Sequence, residues 1–427
     1  MKKLIKTVCL RILGLTITIS GLLFFYPFTV YANEPVIVVI DPGHGGENLG
    51  AEYDEYTEKD MTMIVARAMK EELEKYDDII VYLTRESDVD MTIKDRALFA
   101  KEKNADFLFC LHFNSSVNHN LYGSEIWVSA FGEYYVKGRQ FAEINMDIFE
   151  DMGLYSRGIK TRLNDKDDNY YGILRYCTNE NVPAALIEHC HLDNEKDKPF
   201  YRQSDEQLID FGRKDAEAVA KYFGLHSTET GMDFKDYPKI EVPYREIVRP
   251  DKTAPDSCDI EVLDINREDG IVTVSMHAVD NDSYIQYYSY SLNGGNTYSE
   301  LFAWPRPVWN SSEAEYIFDI QVPFDQDLEL RASAYNGFDV FSESNLVVLP
   351  AIEAPEPSPE PSETPEEIKK ETYQEITYEP IEENVENKQE KIQLLVLILL
   401  ISLLMAIVLS LMIGMLFKLR DHSRKHR

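Results

Sequence analysis

Residues 36–46 read VIVVIDPGHGG, and this stretch decides the fold of the first half of the chain. Val36 to Ile40 form an unbroken apolar run, which is typical of a strand buried on both faces of a parallel sheet. The run leads directly into Asp41 to Gly46, where three glycines around His44 let the backbone pass close to a bound group. Functional groups gather at the carboxyl ends of strands in α/β sheets, so this stretch predicts a functional edge.

From Val36 to about Leu225, short apolar runs alternate with helical patterns. The alternation predicts the α/β class, with a mixed, largely parallel sheet flanked by helices. Thr57 is the predicted start of the first helix, because apolar residues recur every four positions after it. Further strands are predicted at 79–83, 106–112, 126–129 and 184–187, and further helices at 92–103, 137–152 and 206–223.

The pattern changes after a polar linker at 227–254. Short alternating strands separated by turn signals such as Asn293-Gly294-Gly295 predict an all-β immunoglobulin-like sandwich at 255–350. Nothing in its sequence indicates catalysis, so a spacer or protein-contact role is favoured over sugar recognition. Residues 351–391 are rich in Pro and Glu, which predicts a disordered, acidic stalk that cannot bury a core.

The two ends of the chain predict export and anchoring. Residues 1–32 have the basic, apolar and small-residue regions of a signal peptide cleaved after Ala32, although an uncleaved anchor has the same pattern. Residues 392–417 lack charge and are long enough for one transmembrane helix. The basic tail at 418–427 is expected to stay cytoplasmic. These features predict a single-pass protein of the cell membrane, with the α/β domain at residues 33–226 outside the cell.

Composition narrows the function further. The chain has 427 residues with 43 Lys and Arg against 75 Asp and Glu, a formal charge of −32. Such acidity argues against nucleic-acid binding, which requires a basic face. Cys110, Cys177, Cys190 and Cys258 form no recognisable disulfide or metal pattern, and buried free thiols are the favoured interpretation over pairing.

Four polar residues stand at the ends of predicted elements. His44 and His112 follow strands, Glu58 opens a helix, and Glu188 ends another strand. Taken singly, His44 is consistent with a histidine of a turn, and Glu58 is consistent with an acid that interacts with the positive N-terminal end of a helix dipole. Taken together, two imidazoles and one carboxylate with an open fourth position form a catalytic zinc arrangement, and the remaining carboxylate is free to move protons.

These residues resemble the zinc-dependent N-acetylmuramoyl-L-alanine amidases of the Amidase_3 type, which cut peptidoglycan. The resemblance covers about Val36 to Leu225, and its motifs are Asp-Pro-Gly-His-Gly-Gly at 41–46, Glu-Lys-Asp at 58–60, His-Phe-Asn at 112–114, Leu-Arg at 174–175 and the run 183–188. It implies that His44, Glu58 and His112 hold Zn²⁺ and that Glu188 is the catalytic acid/base. The implied reaction is hydrolysis of the amide between N-acetylmuramic acid and L-alanine of the stem peptide.

The sequence departs from the family pattern after Glu188, where it reads His189-Cys190-His191-Leu192-Asp193-Asn194. His189 and Cys190 are candidate extra ligands, but alternation along a strand favours bulky neighbours, and His191 is a candidate supporting residue. For Asn114, a role in forming the turn and a role in orienting His112 or a substrate amide are equally favoured. Arg85 and Arg96 are candidates for acidic groups of the stem peptide, although structural ion pairs are favoured.

Two other functions use the same residues. One is a catalytically silent or regulated module that binds the cell wall, and the other is a zinc peptidase acting on peptide bonds. The presence of all four chemical residues favours the amidase. Whether a partner protein regulates the chain is left open by the sequence.

Overall fold

A six-stranded sheet forms the centre of the first part of the chain. The computed structural model describes residues 34–305 and 313–355. The strands of this sheet lie in the order β4-β1-β5-β8-β6-β7, and every pair is parallel except β6 with β8. Their bounds are β1 Val36–Pro42, β4 Ile79–Leu83, β5 Phe107–Asn114, β6 Ser124–Val128, β7 Ser156–Lys160 and β8 Ala184–His191, and a small hairpin pairs β2 Glu52–Tyr53 with β3 Tyr56–Thr57. The predicted α/β class with a largely parallel sheet is confirmed.

Five helices cover the two faces of the sheet. They are α1 Glu58–Leu73, α2 Ile93–Glu102, α3 Gly132–Asp151, α4 Gly172–Asn179 and α5 Asp205–Phe223, with one short 3₁₀ helix at Lys198–Phe200. Apolar residues of α1, α3 and α5 share one buried core with the sheet. Residues of α2 and α4 form a second core on the opposite face. Both faces of β1 are therefore buried, as its unbroken apolar run predicted.

Among the elements of this domain that were not predicted are β7 and α4. The strand β7 contains Arg157 and Lys160, which are each about 1–2% exposed and read as surface residues in the sequence. Several elements extend beyond their predicted bounds, and the largest extensions are in α3, which begins at Gly132, and in β8, which continues to His191. The extension of β8 carries the residues after Glu188 into the interior.

The second part of the chain is a sandwich of two sheets, and the predicted all-β class is confirmed for this region. One sheet has the order β13-β10-β9, and the other has β12-β11-β14-β15 with β16 also paired to β14. The bounds are β9 Ser257–Asn266, β10 Ile271–Val279, β11 Ile285–Ser291, β12 Phe302–Ala303, β13 Glu313–Gln321, β14 Leu328–Asn336, β15 Phe341–Glu343 and β16 Val347–Leu349. Side chains from both sheets form one core.

Residues 227–254 follow the surface of the first domain without regular secondary structure. Their backbone accepts a hydrogen bond from Gly132 N at Glu246 O (3.1 Å), and Val248 N donates to Ala130 O (2.8 Å). The segment therefore returns to the β6 side of the sheet before the sandwich begins. The four described cysteines are free and buried, in agreement with the favoured interpretation.

Three predictions concern the ends of the chain. Among residues 34–305 and 313–355, no helix has the length and apolar character needed to cross a membrane. The signal peptide at 1–32, the transmembrane helix at 392–417 and the tail at 418–427 lie outside the described residues, as does nearly all of the stalk at 351–391.

Candidate active site

Three side chains from three different elements meet at the carboxyl edge of the sheet. His44 lies in the loop after β1, Glu58 is the first residue of α1, and His112 lies near the end of β5. Their candidate ligand atoms all lie within 4.8 Å of one another. Oε2 of Glu58 is 2.9 Å from Nε2 of His44, and Oε1 is 2.7 Å from Nδ1 of His112. Each carboxylate oxygen therefore faces one imidazole.

The loop between β1 and α1 is shaped to place these groups. Gly50 has φ +73°, and a Cβ there would lie 2.5 Å from Oε2 of Glu58 and 2.6 Å from the ring of His44. Arg85 donates to Pro42 O and Gly43 O (3.0 and 2.9 Å), which fixes the backbone just before His44. The loop is thus held by buried hydrogen bonds rather than by packing alone.

Glu58 is held as an anion. It is 4% exposed, and burial alone would raise its pKa. Hydrogen bonds with His112 and His44 outweigh burial and hold the pKa of Glu58 well below its usual range. The backbone amides of Ala51 and Phe113 also donate to this carboxylate, at 2.7 and 3.0 Å.

Asn48 sets the orientation of His44. Its Oδ1 lies 3.0 Å from Nδ1 of His44, and because an amide oxygen only accepts, Nδ1 must carry the hydrogen when this bond forms. The lone pair of the neutral ring then lies on Nε2, the nitrogen that faces Glu58. A polar partner on the outer nitrogen is usual for histidines that bind metals.

The donor set of this cluster suits a divalent zinc ion. Two imidazole nitrogens and one carboxylate are the protein ligands of one common type of catalytic zinc site, which keeps its fourth position for water or substrate. The approach of the three groups and the ionised state of Glu58 both match this use. The residues present therefore fit the metal.

Glu188 lies beside this cluster on the neighbouring strand. Its Cα is in register with that of His112 across β5 and β8. Its Oε2 is buried and has no hydrogen-bond partner among the described residues. Burial, and then repulsion from Glu58 and Glu125, raise the pKa of Glu188 well above its usual range. A carboxyl group in such surroundings is suited to exchanging protons.

A buried charge cluster lies on the other side of Glu188. Glu125 of β6 is in register with Glu188 and is 3% exposed. Its Oε2 accepts from Arg157 Nε at 3.0 Å and from Lys160 Nζ at 2.9 Å, so the carboxylate is fully paired. The pKa of Glu125 is consequently held well below its usual range, even though burial opposes the shift.

Two cavities open at this edge of the sheet. The smaller, of about 160 Å³, is lined by His44, His112 and residues of α2 and α4. The larger, of about 620 Å³, is lined by Glu125 and by residues that follow β5 and β7. Tyr171 lines both cavities, so they are adjacent to each other.

The residues after Glu188 do not join the ligand cluster. His189 is buried behind β5, where its Nδ1 is 2.9 Å from His112 O and its Nε2 is 2.8 Å from Asp215 Oδ2. Cys190 is part of the apolar core. His191 is also buried, and its Nδ1 donates to Gly123 O at 3.1 Å. His189 and Cys190 therefore have the buried positions that strand alternation favoured over a ligand role.

The remaining candidates have structural partners. Arg96 donates to Asp41 Oδ1 at 2.7 Å and to His44 O at 2.6 Å, so Arg96, like Arg85, braces the loop. Asn114 lines the larger cavity and donates to Glu125 Oε1 at 2.8 Å.

Sequence reasoning missed Asn48, Glu125 and Arg157. A charged residue inside the apolar strand around Ile126 was the one available signal for Glu125.

The fold and the cluster together define a mixed α/β protein with a His-Glu-His centre suited to a catalytic metal. The profile of the Amidase_3 family, described as N-acetylmuramoyl-L-alanine amidase, matches residues 38–221. A sporulation-specific N-acetylmuramoyl-L-alanine amidase of Bacillus subtilis is 37% identical over 203 residues, which are 47% of this chain and 73% of that protein. An endolysin of Bacillus phage SPP1 is 29% identical over 195 residues, covering 46% and 69% of the two chains.

Among solved structures, the catalytic domain of CwlV, an N-acetylmuramoyl-L-alanine amidase from Bacillus (Paenibacillus) polymyxa, is 25% identical with a TM-score of 0.38. The match covers 44% of this chain and 98% of that one. The chain belongs to the N-acetylmuramoyl-L-alanine amidase family. The predicted family is therefore confirmed. The matched residues make up less than half of the chain, and the sandwich lies beyond them.

Proposed function

We propose that this chain is a zinc-dependent peptidoglycan amidase that hydrolyses the bond between N-acetylmuramic acid and L-alanine of the stem peptide. The family supports the amidase activity and the peptidoglycan substrate. One observation carries the zinc-dependent mechanism. His44, Glu58 and His112 converge within 4.8 Å, and Glu188 stands in register with His112.

His44, Glu58 and His112 would hold the zinc. When bound, zinc supplies Lewis acidity, which polarises the scissile carbonyl and lowers the pKa of a coordinated water toward about 7. Asn48 keeps Nε2 of His44 available, and the amides of Ala51 and Phe113 keep Glu58 ionised and fixed.

Glu188 moves the proton. Its unpartnered Oε2 takes a proton from the attacking water and returns it to the amine of L-alanine as that amine leaves. Glu125 cannot take this role, because its Oε2 already accepts hydrogen bonds from Arg157 and Lys160, and these two cations also balance its charge. The two carboxylates therefore divide into a proton carrier and a structural anion.

The test uses residues 33–390 with purified peptidoglycan, measuring zinc content and the masses of released products. We expect one zinc per chain and stem peptides with a free L-alanine amine. Glu188→Gln should keep zinc and lose turnover by about 10²-fold or more, the range of general acid–base catalysis. Glu261→Gln, an exposed change in the sandwich, is the matched control and should behave as the wild type.

The ligand assignment has its own variants. His44→Ala and His112→Ala should lose zinc and activity, whereas His119→Ala, at an exposed histidine outside the cluster, should keep both. Normal zinc content in either ligand variant would show that the assignment is wrong. Zinc without cleavage would favour a silent wall-binding module, and cleavage between amino acids would favour a peptidase.

We propose in addition that the catalytic domain acts outside the cell while the helix at 392–417 anchors the chain. The support is the charge and hydropathy pattern of the two ends. Protease treatment of intact, wall-stripped cells should remove the catalytic domain and spare an epitope in 418–427. An N-terminus at Asn33 should be found by sequencing the mature protein. A catalytic domain protected in intact cells would contradict the proposal.

A further inference from the structure

The larger cavity beside the candidate active site is not built from the catalytic domain alone. One wall includes Lys160, the last residue of β7, and Arg162, Asn164 and Tyr170, which follow the strand. The facing wall includes Lys252 of the linker and the turn Phe338–Val340 between β14 and β15 of the sandwich. The cavity thus lies between the catalytic domain and the sandwich, which belong to one compact unit.

The turn that forms this wall is held in one conformation. Oδ1 of Asn336 accepts from the amides of Phe338 and Val340, both at 3.0 Å. Nδ2 of Asn336 donates to Asp251 Oδ2 at 2.8 Å, so the same residue also ties the linker to the turn. Linker and turn therefore form one preorganised surface.

An ion pair between a buried arginine and a half-buried aspartate attaches this surface to the catalytic sheet. NH2 of Arg157 is 2.8 Å from Oδ2 of Asp339, and NH1 donates to the hydroxyl of Tyr287 at 3.2 Å. The same guanidinium binds Glu125, the neighbour of Glu188. Arg157 is 1% exposed, and away from water each of its three nitrogens donates to a partner, two from the sandwich and one from the sheet. This attachment fixes the distance between the two walls.

The cavity has the size and chemistry of a site for a short peptide. Its volume of about 620 Å³ lies within the usual range of ligand sites, about 300–1,000 Å³. The lining combines amide and hydroxyl groups with the exposed cations Arg162 and Lys252 and with the acids Asp165 and Asp251, so it offers partners for peptide amides and for charged ends. Tyr171 lines this cavity and also the smaller one, which is lined by His44 and His112.

We propose that Lys252 and the turn Phe338–Val340 bind the stem peptide of the substrate beyond L-alanine, so that the sandwich is a specificity element of the amidase. This inference rests on the proposed function, because the peptide must be the leaving group of the hydrolysis. Phe338 supplies an apolar contact and Lys252 a cation for a carboxylate of the stem. The sandwich is then part of the binding site and more than a spacer.

The test compares two soluble muropeptides with the full-length chain. One carries L-alanine alone as its stem and the other a tetrapeptide stem, and KM and kcat are measured for each. Lys252→Glu should raise KM for the long stem about five-fold, the scale of an exposed charge interaction, and leave the short stem unchanged. Phe338→Ala should raise KM for the long stem about ten-fold, as expected when a partly buried apolar contact is lost. In both variants kcat should change less than KM.

Matched controls separate this effect from a general change in the sandwich. Arg267→Glu makes the same charge change at the β9–β10 turn, and Ile317→Ala removes an exposed apolar side chain of β13. Neither residue lines the cavity, so both should leave KM for both stems unchanged.

The outcomes are distinguishable. A wild type that cleaves neither muropeptide would overturn the proposed function and this inference with it. The inference alone would be overturned by a second outcome. In that outcome the wild type cleaves both muropeptides, while Lys252→Glu and Phe338→Ala change KM equally for the two stems or leave it unchanged. A selective rise in KM for the long stem, absent in the controls, would support it.

Discussion

Glu58 and Glu188 lie on neighbouring elements, and their surroundings drive their pKa values in opposite directions. Glu58 accepts from two backbone amides and faces two imidazoles, so its anion is stabilised despite burial. Glu188 is buried near two other carboxylates, which raises its pKa well above its usual range, and its Oε2 lacks a partner among the described residues. Pairs of acids separated in this way commonly divide the roles of ligand and proton carrier.

The role of His44 as a ligand can be tested by changing its partner Asn48 while His44 itself is kept. Asn48→Ala should weaken zinc binding about 10- to 100-fold, because the imidazole loses the partner that fixes its tautomer. Competition with a chromogenic chelator measures the zinc Kd. Asn118→Ala, in an exposed loop, is the control, and a zinc Kd equal to that of the wild type in Asn48→Ala would contradict the role given to Asn48.

His191 should make the stability of the fold depend on pH. Burial, followed by repulsion from Arg157, lowers the pKa of His191 to about 4, against about 6.5 for an unperturbed histidine. The unfolded chain therefore binds the proton more tightly, and the stabilising contribution is lost as pH falls below 6.5. Between pH 7.5 and pH 5.0 this loss amounts to about 2 kcal/mol.

Urea unfolding of wild type and His191→Gln at these two pH values checks the expectation. The difference in unfolding free energy between pH 7.5 and pH 5.0 should be about 2 kcal/mol smaller in the variant. Comparing the two proteins cancels the contribution of neighbouring acids such as Asp197. If both proteins had the same pH dependence, the pKa of His191 would not differ between the folded and the unfolded chain, and the prediction would be wrong.

At the scale of elements, the position of Glu58 depends on how α1 packs against α5. Gly212 of α5 lies against the backbone of α1, and a Cβ there would be 2.4 Å from Val65 O and 2.8 Å from Met69 N. Contacts with backbone atoms cannot be relieved by a rotamer change. The close approach of the two helices therefore requires glycine at this position.

Gly212→Ala should destabilise the fold by about 1–3 kcal/mol, the usual cost of overpacking. It should also weaken zinc binding, because displacement of α1 moves Glu58 at its N-terminus. The neighbouring Arg213→Ala is exposed and should change stability by less than about 1 kcal/mol. Chemical unfolding and the zinc Kd are the measurements, and an unchanged stability in Gly212→Ala would show that the helices can separate without cost.

The elements also show why part of the fold could be predicted and part could not. The strand β1 was predicted because both its faces are apolar, and the four polar residues were found because each stands at the end of such an element. The strand β7 was missed because Arg157 and Lys160 interrupt its apolar pattern, and the pairing with Glu125 that permits their burial involves residues 32 and 35 positions away. Local periodicity carries no information about such partners.

At the scale of the whole molecule, the contribution of the sandwich to the cavity depends on contacts between residues far apart in sequence. Asp339 is 182 positions from Arg157, and Tyr287 is 130 positions away. Each of these residues has an ordinary local role in its own strand or turn. The sequence predicted two domains in order, but only the three-dimensional arrangement shows that one completes a cavity of the other.

The attachment of the sandwich through Arg157 should be visible in thermal unfolding. Asp339→Asn keeps the shape of the side chain and removes the charge that pairs with a buried guanidinium, and hydrogen bonds to charged groups contribute about 1.5–3 kcal/mol. For residues 33–390 this corresponds to a midpoint lowered by about 3 °C.

Calorimetry should show one transition for the wild type and, in the variant, an earlier and broader one, because the two domains support each other less. Asp264→Asn, at an exposed position of β9, should leave the midpoint unchanged. Two separate transitions in the wild type would instead show that the domains unfold independently, and the ion pair would then have no part in fixing the walls of the cavity.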